Sequence, residues 1–405
     1  MSMFFYHHSR CNRRSIRCMS TMITGSTGMS YRNTYRIEKM VQEGNRFTPV
    51  TIASLIRYAD VLKSNRTDEN AILLKYSNFL RNEIPLRLAK RLYDFHRLPY
   101  ICTSNEHMNK VYALYLDTFN RVMSLPANIT TPDECDTLRD VLHQQAMDAR
   151  DVIRWVQIGH RELKHYKGLE EMNRFLDKLF TMRIGTRLLI DHYTALHDGV
   201  RKHHDEEKDH HDHREDGATV SPCTAHGLVS NCTPGIIVRD VASSLSILCK
   251  SLYGVSPKVK LLGEVDFSFA HIPEHIAYIA QEILKNSLRS SIERVQGERR
   301  NSSRDGGDAN FILLEDDDIP PVTVEFHKGE FDVIMKISDQ GGGMSPELKK
   351  KAFLYGFTTV GDINENTHDS TTRDDGRLGG LLRSMDSNHM RWNEMAGYGF
   401  GLPLS

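Results

Sequence analysis

The apolar residues of this chain change their period part-way along. In the first half they recur at three- and four-residue spacing: Val111, Leu114, Tyr115, Thr118, Phe119 and Val122 make one such stripe, and Leu169, Met172, Leu176, Leu179 and Phe180 another. Side chains three and four apart share a helix face, so each run predicts an amphipathic helix with one side to bury. Residues 52–198 therefore read as long helices packed on one another, with Pro85, Pro99 and Pro126 marking connections. After Gly235 the texture is mixed. Residues 236–253 read as a helix or strand–helix unit, 271–294 as a long helix, and 322–326 and 331–338 as strands, with Lys328, Gly329 and Glu330 as a hairpin turn. Two textures in 405 residues predict an α+β chain of two domains.

The flanking segments read differently. The first 37 residues hold no Asp or Glu but carry Arg10, Arg13, Arg14, Arg17, Arg32 and Arg36 amid Ser and Thr. That is the composition of a mitochondrial transit peptide, so 1–37 is set apart from the fold and the expected destination is the matrix. Residues 201–235 carry His203, His204, His210, His211 and His213, then a Ser, Thr, Gly and Pro mixture, and read as a mobile connection. Without a second ligand group at defined spacing, this run does not predict a zinc site.

Composition excludes several classes. Lys and Arg number 52 against 53 Asp and Glu, which argues against a nucleic-acid partner. Seven cysteines without a CxxC pair suggest neither a disulfide framework nor a thiolate zinc site. No stretch reaches the roughly 18 to 20 uncharged apolar residues needed to span a bilayer.

Three pieces carry chemistry. In the helix near Pro273, Glu282 and Asn286 lie four residues apart and project from one face, while Ile276, Ile279, Ile283 and Leu288 form another stripe for a sheet. A carboxylate accepts a proton, and an amide oxygen suits Mg²⁺, the usual companion of ATP phosphates. Next, Asp339-Gln340-Gly341-Gly342-Gly343 leaves a strand whose apolar residues are Val333, Ile334, Met335 and Ile337. Glycines permit close backbone approach, and a strand-end Asp can accept from an exocyclic amine such as adenine N6. Last, Gly397-Tyr398-Gly399-Phe400-Gly401-Leu402-Pro403 alternates glycine with aromatics before an expected helix, a setting for phosphate. No apolar strand precedes it, so a Rossmann site is disfavoured. The polar residues 344–396 between the second and third pieces read as a lid.

The order of a Glu-x-x-x-Asn helix, an Asp-x-Gly-x-Gly loop, a lid and a Gly-x-Gly segment resembles the GHKL (Bergerat) ATPase superfamily. Residues 79–89 (FLRNEIPLRLA), 183–187 (RIGTR), 282–287 (EILKNS) and 397–403 (GYGFGLP) narrow the resemblance to the mitochondrial pyruvate and branched-chain 2-oxo acid dehydrogenase kinases. The likeness covers most of 47–405. It implies a four-helix bundle over 47–200, the insertion 201–235, and a GHKL sandwich over 236–405. It implies a serine kinase that down-regulates a dehydrogenase, with pyruvate dehydrogenase E1 as first choice of substrate, lipoyl domains of E2 as docking partners, and a homodimer.

The resemblance implies Glu282 as general base and Asn286 as the Mg²⁺ ligand. It places Asp339, Gly341 and Gly343 at adenine, and Thr358 and Thr359 in the lid. Gly397, Gly399, Phe400, Gly401 and Leu402, with Arg289, would line ATP, and Arg183 with Arg187 would form a keto-acid effector pocket. Tyr278 stands where pyruvate-selective members often carry His, and Ala149 where a histidine accompanies the effector arginines. The sequence ends at Ser405, where the sandwich's next helix should begin, so an incomplete sandwich of low stability and activity is expected. The alternatives are a branched-chain dehydrogenase kinase, a non-catalytic ATP-binding regulator, and a histidine kinase, for which His192 and His197 read as helix-surface residues rather than phospho-acceptors.

Overall fold

A computed structural model describes residues 31–43, 46–64, 68–163, 169–210, 228–304, 314–358 and 399–405. Among the described residues the fold is α+β, mostly helical with two small sheets. In chain order the helices are α1 (Tyr31–Gln42), α2 (Ile52–Ser64), α3 (Glu69–His96), α4 (Tyr100–Thr103), α5 (Glu106–Ser124), α6 (Pro132–Asp148), α7 (Val152–Glu162) and α8 (Leu169–His210). Then follow β1 (Ser230–Cys232), α9 (Pro234–Tyr253), β2 (Val259–Gly263), β3 (Phe269–His271), α10 (Pro273–Arg304), β4 (Val322–Lys328), β5 (Val333–Ser338), α11 (Pro346–Lys351) and α12 (Gly401–Leu404). The chain divides into two compact units, 1–49 with 74–149 and 50–73 with 150–405. Among the described residues no helix is long and apolar enough to cross a membrane.

In the first unit, local chemistry sets the helix limits. Asn105 caps α5 by accepting from His107 N and Met108 N, and Thr131 with Glu134 forms a capping box ahead of Pro132 at the start of α6. The stripe read on α5 is buried at Val111, Tyr115, Thr118, Phe119 and Val122. Arg81 is buried and donates to the carbonyls of Leu125 (2.9 Å) and Pro126 (3.1 Å), beyond the end of α5. Residues 31–37, at the end of the acid-free stretch, are helical, and Ile37 is fully buried.

Pro85 lies inside α3, not at a connection as the sequence suggested. A mid-helix proline costs roughly 3 kcal/mol. Leu80, Ile84, Leu86, Leu88 and Leu92 around it are buried. At roughly 1.5–3 kcal/mol each, they outweigh that loss.

In the second unit, β2 pairs parallel with β4, and β4 antiparallel with β5, in the order β2-β4-β5. The parallel step requires a crossover, which contains α10. The expected hairpin is present, with Lys328 opposite Val333. Pro234 opens α9 and Gly254, at φ +78°, closes it. The stripe of α10 that enters the core is Ala280, Leu284, Leu288 and Ile292, packed with Val322, Val324 and Phe326 of β4 and with Val238, Leu245 and Cys249 of α9. The sequence predicts Ile276, Ile279, Ile283 and Leu288 there, about one residue round the helix. Both sets have helical spacing, and the packing of β4 and α9 against the helix, not periodicity, selects between them.

Two more readings change. Helix α8 runs on to His210, because 201–210 contain neither Gly nor Pro to stop it. Residues 211–227 of the His/Asp-rich stretch lie outside the described residues. His192 and His197 are not surface residues but 0% and 4% exposed, beside buried Leu189, Tyr193 and Leu196. Helix α8 is covered on more than the single stripe that its period revealed.

Candidate functional site

The site is built on α10. Glu282 is 2% exposed, whereas Asn286, one turn on, is exposed. Lys285 Nζ donates to both Glu282 oxygens, 2.7 Å to Oε1 and 2.8 Å to Oε2. On the other side is the backbone of Gly401, where a Cβ would overlap Glu282 Oε2. Only glycine lets the chain pass this carboxylate. Tyr278, one turn before Glu282, is buried, and its hydroxyl is pushed well above the usual phenol range by burial, with the charges of Glu282 and Tyr355 adding to it. It is a neutral donor at any working pH.

Two turns further along α10, the Asp339 loop makes a second close approach. A Cβ at Gly341 would overlap Ser290 Oγ, and Arg294 Nη1 donates to Gln340 O at 2.8 Å. Asp339 Oδ1 accepts from Gly341 N at 2.8 Å, which bends the loop and leaves Oδ2 for another donor. Asp339 is exposed. Gly342 and Gly343 have φ of +94° and +74°, a region that favours glycine. The two glycine loops thus meet one helix eight residues apart. At 1.5 Å per residue that is about 12 Å.

The loop at 399–401 is held by aromatic packing. Phe400 is 1% exposed, with its ring 5.3 Å from Tyr355, 5.9 Å from Phe180 and 5.8 Å from His160. Gly356 N donates to Gly399 O at 3.0 Å, and Tyr355 N donates to Asn173 Oδ1 at 3.0 Å. Burial pushes the His160 pKa down, so this ring packs as neutral imidazole.

Of the residues read from sequence, Glu282, Asn286, Asp339, Gly341, Gly343, Gly399, Phe400, Gly401 and Leu402 come from these three pieces of chain around α10. Arg289 is on the same helix and pairs with Glu293 at 2.6 Å. Thr358 is exposed at the end of a described stretch, and Thr359 and Gly397 lie outside the described residues, as does most of the lid. Arg183 and Arg187 form a separate group one turn apart on α8. Arg187 pairs with Asp191, whose carboxyl is held above its ordinary range by burial, against the pull of Arg187 and Arg183. Ala149 is buried in the turn 149–151.

Sequence reasoning gave no role to Lys285, Ser290, Arg294 or Tyr355. Lys285 was legible as a cation three residues after Glu282. The contacts of the other three depend on tertiary approach. Among the described residues no group of three or more His, Cys, Asp or Glu could hold a metal. A Mg²⁺ bound through Asn286, phosphate oxygens and waters needs no such cluster. At 341 and 401 the space a side chain would need is taken by Ser290 and Glu282, so these glycines let the two loops pack closely on α10.

Fold and site define a helix-rich α+β protein with a buried carboxylate set against a glycine loop. A family model described as mitochondrial branched-chain alpha-ketoacid dehydrogenase kinase matches residues 49–215. A mitochondrial [pyruvate dehydrogenase (acetyl-transferring)] kinase of Arabidopsis thaliana is 26% identical over 354 residues, 86% of this chain and 81% of that one. The Drosophila melanogaster protein of the same name is 25% identical over 351 residues, 83% of this chain and 72% of its own length. Human isozyme 3 is 23% identical over 383 residues, 91% and 79% of the two chains. The chain is thus similar to mitochondrial pyruvate dehydrogenase kinases over most of its length, and to the branched-chain kinase family model over 49–215.

Proposed function

We propose that this chain is an ATP-dependent protein-serine kinase that phosphorylates the E1 component of mitochondrial pyruvate dehydrogenase. The observation that carries the reading is the double approach of glycine backbone to α10, at Glu282 and at Ser290, about as far apart as the two ends of an adenine nucleotide. The names of the relatives supply the substrate class.

In this reading 47–200 is a four-helix bundle domain and 236–405 a Bergerat-type nucleotide domain. Asp339 accepts from adenine N6, Gly341 and Gly343 shape its pocket, and Gly399, Phe400, Gly401 and Leu402 meet the triphosphate. Arg289, Thr358, Thr359 and Gly397 complete the nucleotide contacts, and Asn286 holds Mg²⁺. The metal, when bound, neutralises charge on the phosphates. Glu282 takes the proton of the substrate serine as its oxygen attacks the γ-phosphorus, and the bond to the bridging oxygen breaks, leaving ADP. Arg183 and Arg187 form an effector pocket for a small acid. Lipoyl domains of E2 are the docking partner, the working unit is a homodimer, and the location is the mitochondrial matrix.

Incubation with γ-labelled ATP and purified E1 components tests this. Label on a serine of pyruvate dehydrogenase E1 is the expected result. The description of the matching family model supplies the alternative outcome, in which branched-chain E1 takes the label. Label on a histidine of the chain itself, or on no protein, would remove both.

A further inference from the structure

Glu282 is fully engaged in this structure. Lys285 holds both carboxylate oxygens, the two side chains are 3% and 19% exposed, and Gly401 backbone closes the remaining side. A buried carboxylate needs a compensating cation, which accounts for one being there. It does not account for a lysine. An arginine fork would fix the carboxylate more firmly, whereas lysine is a point charge on a flexible four-carbon stem. The partly exposed Lys285 has room to move, and the carboxylate it holds touches the loop assigned to the triphosphate. A terminal phosphate there would bring more negative charge to this ammonium than the single charge on Glu282, and the attraction scales with charge.

We propose that Lys285 exchanges between Glu282 and the terminal phosphate of the nucleotide, clamping the base until the triphosphate arrives and then releasing it. The proposal rests on the reading of Glu282 as the base. It makes Lys285 a catalytic residue and gives the enzyme a reason to distinguish ATP from ADP. With ADP the clamp stays closed.

Calorimetric affinities of the full chain for ATP and ADP with Mg²⁺ test it, using the parent, Lys285→Met, Glu282→Gln and the double variant, which removes the buried charge along with its partner. The parent is expected to prefer ATP by about tenfold or more, 1.4 kcal/mol. Lys285→Met should bring that preference close to one with ADP affinity little changed, and the double variant should do the same. Glu282→Gln, by freeing the ammonium, should tighten ATP several-fold and leave ADP alone. An unchanged ATP preference in both lysine variants, or no tightening in Glu282→Gln, would overturn the exchange while leaving the kinase reading intact. A parent chain that binds no ATP would remove that reading and this proposal together.

Discussion

Each unit of this molecule buries a glutamate against a cation, and the two are held differently. Glu83 accepts from Arg87 Nε at 2.8 Å and from Thr48 N at 2.9 Å, while Arg87 also donates to Thr48 O and lies over the Phe47 ring. Both partners are fixed by backbone and by an aromatic face. Glu282 is held by one lysine on a mobile stem, with a glycine backbone opposite. A carboxylate tied by several rigid donors serves to fix the fold, and one tied by a single displaceable donor is available for chemistry. Burial alone does not distinguish them; the partners do.

The comparison breaks most visibly at Glu83. Glu83→Ala leaves the Arg87 guanidinium buried without its carboxylate, which should cost about 3–5 kcal/mol in chemical unfolding of the full chain. The ATP affinity of the folded fraction should change less than twofold. A large loss of ATP binding with unchanged stability would reverse the roles assigned to the two glutamates.

A second structural group sharpens the point through pH. Burial pushes the His192 pKa down to about 4, and its Nδ1 accepts from Leu228 N at 3.1 Å. The unfolded chain, with an ordinary value near 6.5, binds the proton first. The contribution is therefore complete above about pH 6.5 and lost as pH falls toward 4, to a limit of about 3 kcal/mol. His192→Gln should flatten unfolding free energy against pH in that window. An unaltered profile would place the titration elsewhere.

The glycine loops come next. Gly401→Ala forces a methyl into Glu282 Oε2 and should weaken ATP by about tenfold, roughly 1.4 kcal/mol, with the unfolding free energy changed far less than in Glu83→Ala. Arg294→Gln loses an exposed contact to Gln340 O and an exposed ion pair with Glu298, and should weaken ATP only about threefold, under 1 kcal/mol. Equal effects from both would mean that the loop at 399–401 is no more sensitive than the loop at 339–343.

The sequence made much of this visible. Periodicity located the helices of the first half and the hairpin, since each buries one face and announces it by spacing. Glu282, Asn286, Asp339 and the glycines stood out through their order and spacing along the chain, since a Glu and an Asn on a helix are common one by one. What stayed hidden depends on packing from more than one side. His192 and His197 looked wet because α8 has more covered faces than one stripe. Pro85 looked like a break because neighbouring burial does not register locally. The shifted stripe of α10 turned on where the sheet lies, and the roles of Ser290, Arg294 and Tyr355 on approaches across 46 to 182 residues of chain.

The account depends on Glu282 acting on a proton rather than holding the fold. Transfer of γ-label to E1 by Glu282→Gln, measured beside its ATP affinity, tests that most directly. Transfer should fall by about a thousandfold, the scale of general-base catalysis, while ATP binds at least as tightly as to the parent. Transfer within a few-fold of the parent, at saturating ATP, would contradict it.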